Sequence, residues 1–268
     1  MSAEQVCVPH FSKRIFSMRI TTLMFDLDGT LAPARNHPSK QMAKLFMELL
    51  NYYRIAIISG ASYEQFHAKF LNHLPGTNHD LFSRLLLLPT TGSVIYRHRN
   101  GDWKIVEENF IGEKERKKII RLLNQAITKF KIKKLPEAAR QIDDRKSQVT
   151  LSGCGQAATD EQRAKFDPKG KLRQRIQEWL LPQLPEYDIK IGGATSIDVT
   201  AKHLNKAYAI DRVTKIWALN PFEILFIGDA IYPNGNDYSV LQAGIMSKFV
   251  RDEEETENWL TNFLFSKK

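Results

Sequence analysis

The chain has 268 residues, 43% of them hydrophobic, which is the content of a globular protein with one substantial domain or two modest ones. Its formal charge of +9 favours anionic partners, and charge alone does not choose among nucleic acid, anionic lipid and phosphorylated metabolites. The two cysteines, Cys7 and Cys154, exclude a disulfide framework and a paired metal-ligand spacing, so a reducing cytoplasm is expected, and no apolar run is long enough for a membrane span.

Residues 1–18 carry Lys13 and Arg14 but no apolar block fit for a signal peptide, and read as a loosely held extension. Thr21 to Phe25 is short, apolar and β-prone, a buried strand that runs into Asp26-Leu27-Asp28-Gly29-Thr30. Two carboxylates, a glycine and a hydroxyl thus share the carboxyl end of a strand, where open α/β sheets bind ligands. After the turn-rich Ala32 to Pro38, Ser39 starts a helix whose Met42, Leu45, Phe46, Leu49 and Leu50 share a face. Arg54 to Ile58 is a second strand, and Ser62 with Gln65 makes a capping box for the next helix, leaving Ser59 at the strand tip.

Arg84 to Leu88 is a third buried strand, broken by Pro89-Thr90-Thr91-Gly92. Ser93 to Tyr96 and Trp103 to Val106 then flank Asn100-Gly101, a β-hairpin signal. A basic helix is predicted from Glu113 to Lys134, with Ile119, Leu122, Leu123, Ala126, Ile127 and Phe130 as its buried stripe. Ser147 to Leu151 and Asp188 to Ile191 are further strands, separated by a helix from Lys171 to Leu180 that follows Asp167-Pro168. From Lys206 the early style returns, with a helix to about Leu219, a strand from Glu223 to Ile227 and a loop from Gly228 to Asp237. The predicted architecture is α/β: a doubly wound, mostly parallel Rossmann-like core from 1–92 and 204–268, with an α/β cap domain inserted at 93–203.

An isolated Asp-x-Asp is as readily a turn and a helix cap as a site. Here the strand tips gather Asp26 and Asp28, Ser59, Lys206, and Asp229 with Asp237. Phosphoryl transfer needs that set: a nucleophile, an acid/base, a hydroxyl and a cation on the phosphoryl oxygens, and carboxylates for Mg²⁺. These residues resemble the haloacid dehalogenase superfamily of phosphotransferases, and Asn236-Asp237 is typical of its type IIB members, with an α/β cap after the third core strand. Within it the chain is most similar to eukaryotic-type phosphomannomutases and related sugar-phosphate phosphatases. That likeness rests on Asp26 to Leu31 with Arg35, on Arg145 and Arg163, on Gly192 to Asp198, and on Asn205-Lys206.

The resemblance implies that Asp26 is the nucleophile, Asp28 the acid/base, and Ser59 and Lys206 the groups on the phosphoryl oxygens. Mg²⁺ would be held by Asp26, Asp28 through its backbone carbonyl, Asp229 and Asp237. The substrate would meet Gly29, Thr30, Arg35, Gly60, Arg145, Arg163, Ser196 and Asp198. Eleven residues past Arg145, where the mutases carry a further arginine, this chain has Gln156. Because arginine grips a second phosphate better than an amide does, Gln156 places a sugar-phosphate phosphatase ahead of a phosphohexomutase. A basic binding protein that kept the fold is the non-enzymatic alternative. The expected partner is a small phosphorylated metabolite, without nucleic acid or membrane, and a homodimer through the cap is left open. Gly153 to Ala158 fits only a loose dinucleotide fingerprint, and the loop at Asp229 lacks the glutamate that closes a calcium site.

Overall fold

The structure, a computed structural model, describes residues 6–7, 20–33, 36–76, 79–133, 140–155, 157–192, 194–233 and 235–265. The chain forms two compact units, one ending at Glu108 and resuming at Asn205, the other spanning Asn109–Leu204. The first begins with β1 (Val6–Cys7), β2 (Thr22–Asp26), α1 (Lys40–Tyr52), β3 (Arg54–Ile58), α2 (Tyr63–Lys69), α3 (His79–Phe82) and β4 (Leu85–Leu88). It continues through a single turn, α4 (Pro89–Gly92), and the hairpin β5 (Val94–Arg99) and β6 (Asp102–Glu108). The insert contains α5 (Glu113–Lys129), β7 (Ile142–Asp144), β8 (Gln148–Ser152), α6 (Asp160–Phe166), α7 (Lys171–Leu180), β9 (Tyr187–Gly192) and β10 (Ser196–Ala201). The chain then returns to the first unit with α8 (Lys206–Trp217), β11 (Ile224–Gly228), α9 (Tyr238–Gln242), β12 (Met246–Phe249) and α10 (Glu253–Phe265).

The core sheet has eight strands in the order β1-β12-β11-β2-β3-β4-β5-β6, parallel from β12 to β4 and antiparallel at both margins. A parallel sheet must be covered on both faces, and the strands are apolar on both. Leu23, Phe25, Ile55 and Ile57 pack with Phe46 and Leu49 of α1 and Leu260 of α10. Met24, Ala56, Ile58 and Phe226 pack on the other side with Ala209 and Val213 of α8. Each large apolar side chain so buried contributes about 1.5–3 kcal/mol. Among the described residues no helix is long and apolar enough to cross a membrane.

The structure moves several predicted boundaries. The sequence predicts an insert from 93, but β5 pairs with β4 through Leu86↔Arg97 and Leu87↔Tyr96, which keeps the hairpin on the core sheet. Its turn uses positive φ at Asn100 (54°) and Gly101 (83°), the conformation that a two-residue hairpin favours. α5 stops at Lys129 rather than Lys134 because Lys131 turns left-handed, and the N–H groups of Lys131 and Ile132 close back on the carbonyls of Thr128 and Ile127. Within the expected loose extension, Val6 and Cys7 pair with Lys248 and Ser247 of β12, adding a strand to the sheet edge. The predicted elements end before α9, β12 and α10, and they omit β10.

β10 is central to the insert, whose antiparallel sheet runs β7-β8-β10-β9. Val149, Leu151, Ile197 and Val199 point to α5 and α7, packing with Ile119, Leu123, Ile176 and Leu180. The intervening residues form the other face, where Gln148, Thr150, Ser152 and Thr200 are polar yet buried.

Candidate active site

β2 sits where the strand order reverses, with β3 on one side and β11 on the other. The carboxyl ends of these strands are the ligand-binding edge of such a sheet. They deliver Asp26 as the last residue of β2, Ser59 just past β3 and Asp229 just past β11. Beyond Asp26 the chain turns tightly, the N–H groups of Leu31 and Ala32 donating to the Leu27 carbonyl at 3.0 and 3.1 Å. Gly29 adopts φ 87°, and a Cβ there would lie 2.5 Å from Asp229 Oδ2, so the close approach of the two loops requires glycine.

Lys206 opens α8, its position set by Asn205, whose side chain caps the helix by accepting from the Tyr208 N–H at 2.9 Å. The buried Lys206 ammonium donates to Asp26 Oδ1 at 2.5 Å and to Asp237 Oδ1. Asp237 Oδ2 accepts from the Ala230 N–H at 3.0 Å, which ties the loop after β11 to the same centre. Ligand oxygens of Asp26, Asp229 and Asp237 lie within 4.8 Å of one another.

Burial pushes the Asp26 carboxyl up to about 7; Lys206 pulls the other way, and Asp237 and Asp229 add to the rise. Asp229 is likewise raised by burial and by Asp237. Burial lowers the proton affinity of Lys206, but Asp26 and Asp237 outweigh it and hold the ammonium above its ordinary range. Three carboxylates against one ammonium form an all-oxygen, net negative donor set, which fits a hard divalent cation such as Mg²⁺.

Asp28 stands apart from that cluster. Its Oδ2 accepts from Ser59 Oγ at 3.2 Å and its Oδ1 from Lys69 Nζ at 2.9 Å. The carboxylate of Asp28 is therefore not one of the gathered metal donors, which leaves its backbone carbonyl as the donor expected from the sequence. The Ser59 hydroxyl, expected on a phosphoryl oxygen, instead donates to Asp28 and accepts from the Ala61 N–H at 3.0 Å. Thr30 Oγ1 is buried with no hydrogen-bond partner among the described residues, a polar atom that a phosphoryl oxygen would satisfy. A Cβ at Gly60 would meet nothing within 4 Å, so packing does not demand glycine there.

The remaining predicted residues lie on the insert. Asp198 projects from β10 onto the polar sheet face, where Thr150 Oγ1 and Gln148 Nε2 donate to its Oδ1 at 2.6 and 3.0 Å. Burial raises its carboxyl; the Thr150 hydrogen bond, the Arg145 charge and the Gln148 amide oppose that. Ser196 is on the same strand, opposite Ser152 and Gly192. Arg145 Nε donates to Asp143 at 2.8 Å, and Arg163, on α6, reaches the Ala158 carbonyl at 2.9 Å and Thr195 Oγ1 at 3.5 Å. Arg35 and Gln156 lie outside the described residues.

Sequence reasoning missed Lys69, Thr150 and Gln148. The last two had a readable signal, the alternation of Gln148, Thr150 and Ser152 with Val149 and Leu151 along one strand. Lys69 had none, because only the fold brings the end of α2 to Asp28.

The pattern of the family described as eukaryotic phosphomannomutase matches residues 42–266, so Asp26 and Asp28 precede the matched segment. Phosphomannomutase 1 of Mus musculus is 26% identical over 225 residues, covering 81% of each chain. Phosphomannomutase of Saccharomyces cerevisiae is 27% identical over 226 residues, covering 82% of this chain and 84% of that one. Among solved structures, a haloacid dehalogenase-like hydrolase from Bacteroides thetaiotaomicron superposes with a TM-score of 0.67 at 12% identity, over 91% of this chain and all (100%) of that one, a likeness of fold.

Proposed function

The chain belongs to the eukaryotic phosphomannomutase family of the haloacid dehalogenase superfamily, and from that premise we propose an Mg²⁺-dependent phosphohexomutase working through an Asp26 phosphoenzyme. The observation that carries phosphoryl transfer is the separation of the two acids. Asp26 sits on Lys206 within the three-acid cluster, and Asp28 is held outside it by Ser59 and Lys69.

Asp26, as the carboxylate, forms the bond to phosphorus while the bond to the departing oxygen breaks. Asp28 gives a proton to that oxygen and later takes one from the acceptor hydroxyl. Lys206 and the Thr30 hydroxyl meet the phosphoryl oxygens, and Ser59 orients Asp28. When bound by Asp26, Asp229, Asp237 and the Asp28 carbonyl, Mg²⁺ supplies positive charge that offsets repulsion between the phosphate and the carboxylates. On the insert, Arg145 and Arg163 carry the second phosphate, and Ser196 and Asp198 the sugar hydroxyls.

The family relation and the names of the relatives favour the mutase over the sugar-phosphate phosphatase that Gln156 places first. Gln156 is the observation favouring that second reading, with water as acceptor. One assay separates them: the chain with Mg²⁺, mannose 1-phosphate and a trace of hexose 1,6-bisphosphate, with mannose 6-phosphate and free phosphate measured together. The mutase yields isomerised sugar well in excess of phosphate. Phosphate in excess would reverse the order.

A further inference from the structure

Lys69 is the last residue of α2, a helix of only seven residues whose ends are both fixed. Ser62 and Gln65 form the capping box at its start, and Phe66 and Phe70 anchor its end in the core, Phe70 meeting Phe46 edge-on at 4.9 Å. Ser59 lies just before this helix, so one short segment brings a hydroxyl to one oxygen of Asp28 and an ammonium to the other, at 3.2 and 2.9 Å.

We propose that Lys69 is a positioning residue for the acid/base: with Ser59 it clamps the Asp28 carboxyl so that its proton is presented to the departing oxygen. Each carboxyl oxygen has a second lone pair, so the clamp leaves room for that proton. Lys69 also changes the charge a phosphate meets. Among the described residues, Asp26, Asp28, Asp229 and Asp237 against Lys206 leave a formal −3 (four carboxylates, one ammonium), and Lys69 reduces it to −2. A partly exposed ion pair contributes little to folding, and tethering a lysine has an entropic cost, so the pair's effect is expected in catalysis.

The inference rests on the acid/base reading of Asp28, and its test uses leaving groups in place of sugars. As Asp26 bonds to phosphorus, the alcohol oxygen leaves with the electron pair of the P–O bond and takes the Asp28 proton. p-Nitrophenolate leaves without that proton, and benzyl alkoxide does not. With Mg²⁺ and enzyme in excess over p-nitrophenyl phosphate or benzyl phosphate, the release of each alcohol in a single turnover reads this step alone. Lys69→Met should slow benzyl alcohol release about 100-fold and nitrophenol release less than about threefold, the skew that Asp28→Asn also gives. Lys69→Arg should restore most of the benzyl rate, and the thermal midpoint should not move. Equal losses on both substrates, or none, would overturn the role of Lys69. A wild-type chain that releases neither alcohol would overturn the phosphoenzyme reading, and the clamp with it.

Discussion

Asp26 is a buried acid at a strand tip of the core and Asp198 a half-buried one on the insert's sheet, and desolvation raises the proton affinity of each. Their partners differ. Asp26 faces an ammonium and two further carboxylates, whereas Asp198 accepts from a hydroxyl and an amide. The core acid is thus set in a net negative cluster that a divalent cation would offset. The insert acid accepts hydrogen bonds from neutral donors, with the Arg145 charge acting on it as well. The same desolvation thus acts on two carboxylates whose surroundings differ in charge.

The largest break in that comparison is Asp26→Asn. Loss of the proposed nucleophile should reduce turnover by about 10⁴-fold or more, measured as phosphate or isomer formation. The fold should survive, because Asp237 still pairs with Lys206. The sign of the stability change follows from the raised carboxyl. Folded Asp26 holds its proton up to about 7, so between its ordinary value of 3.8 and that point the folded state binds more protons, and stability falls as pH rises. Asn lacks that slope, so the variant's thermal midpoint without Mg²⁺ should exceed that of the wild type at pH 8 and converge with it at low pH.

The core acids were legible because they follow an apolar strand, and strand tips in such sheets converge; Asp26, Asp229 and Lys206 meet as the motif spacing requires. What was not legible depends on reach. Ser59 was placed at the right tip, but nothing local says that its hydroxyl turns to Asp28. On the insert, β10 follows the alternation Ser196-Ile197-Asp198-Val199-Thr200, a pattern of period two that was readable and went unread. The hairpin at Asn100-Gly101 was readable as a hairpin, but which sheet it joins is settled by the pairing of β5 with β4.

A smaller effect is expected from Lys206→Met, which leaves Asp26 and Asp237 buried without their cation. Removing one partner of a buried ion pair costs about 3–5 kcal/mol, read as a fall in the urea midpoint of the core. Adding Asp237→Asn should recover part of that loss, and so should Mg²⁺, since each reduces the same uncompensated charge. Full stability of Lys206→Met without Mg²⁺ would show that the core acids do not depend on the ammonium.

The smallest expected effect is at the insert's own buried pair, Asp167 and Arg173. Asp167 Oδ2 accepts from the Arg173 N–H and Nε at 3.0 and 3.1 Å, and its Oδ1 accepts from the Leu172 N–H at 3.2 Å. Burial would raise this carboxyl, but the Arg173 and Leu172 backbone donors and the guanidinium outweigh it, so it is held below its ordinary 3.8. The sign is then opposite to that of Asp26. Asp167 stabilises the insert above the unfolded carboxylate's value, and the contribution is lost as pH falls through the lower folded value. Asp167→Asn should cost about 1.5–3 kcal/mol at pH 7, and the difference should shrink in acid, as pH falls through the folded carboxyl's value below 3.8. Urea unfolding of the insert at pH 7 and in acid checks this. A penalty that persists in acid would mean that Asp167 acts as a neutral cap on α7 and not through its charge.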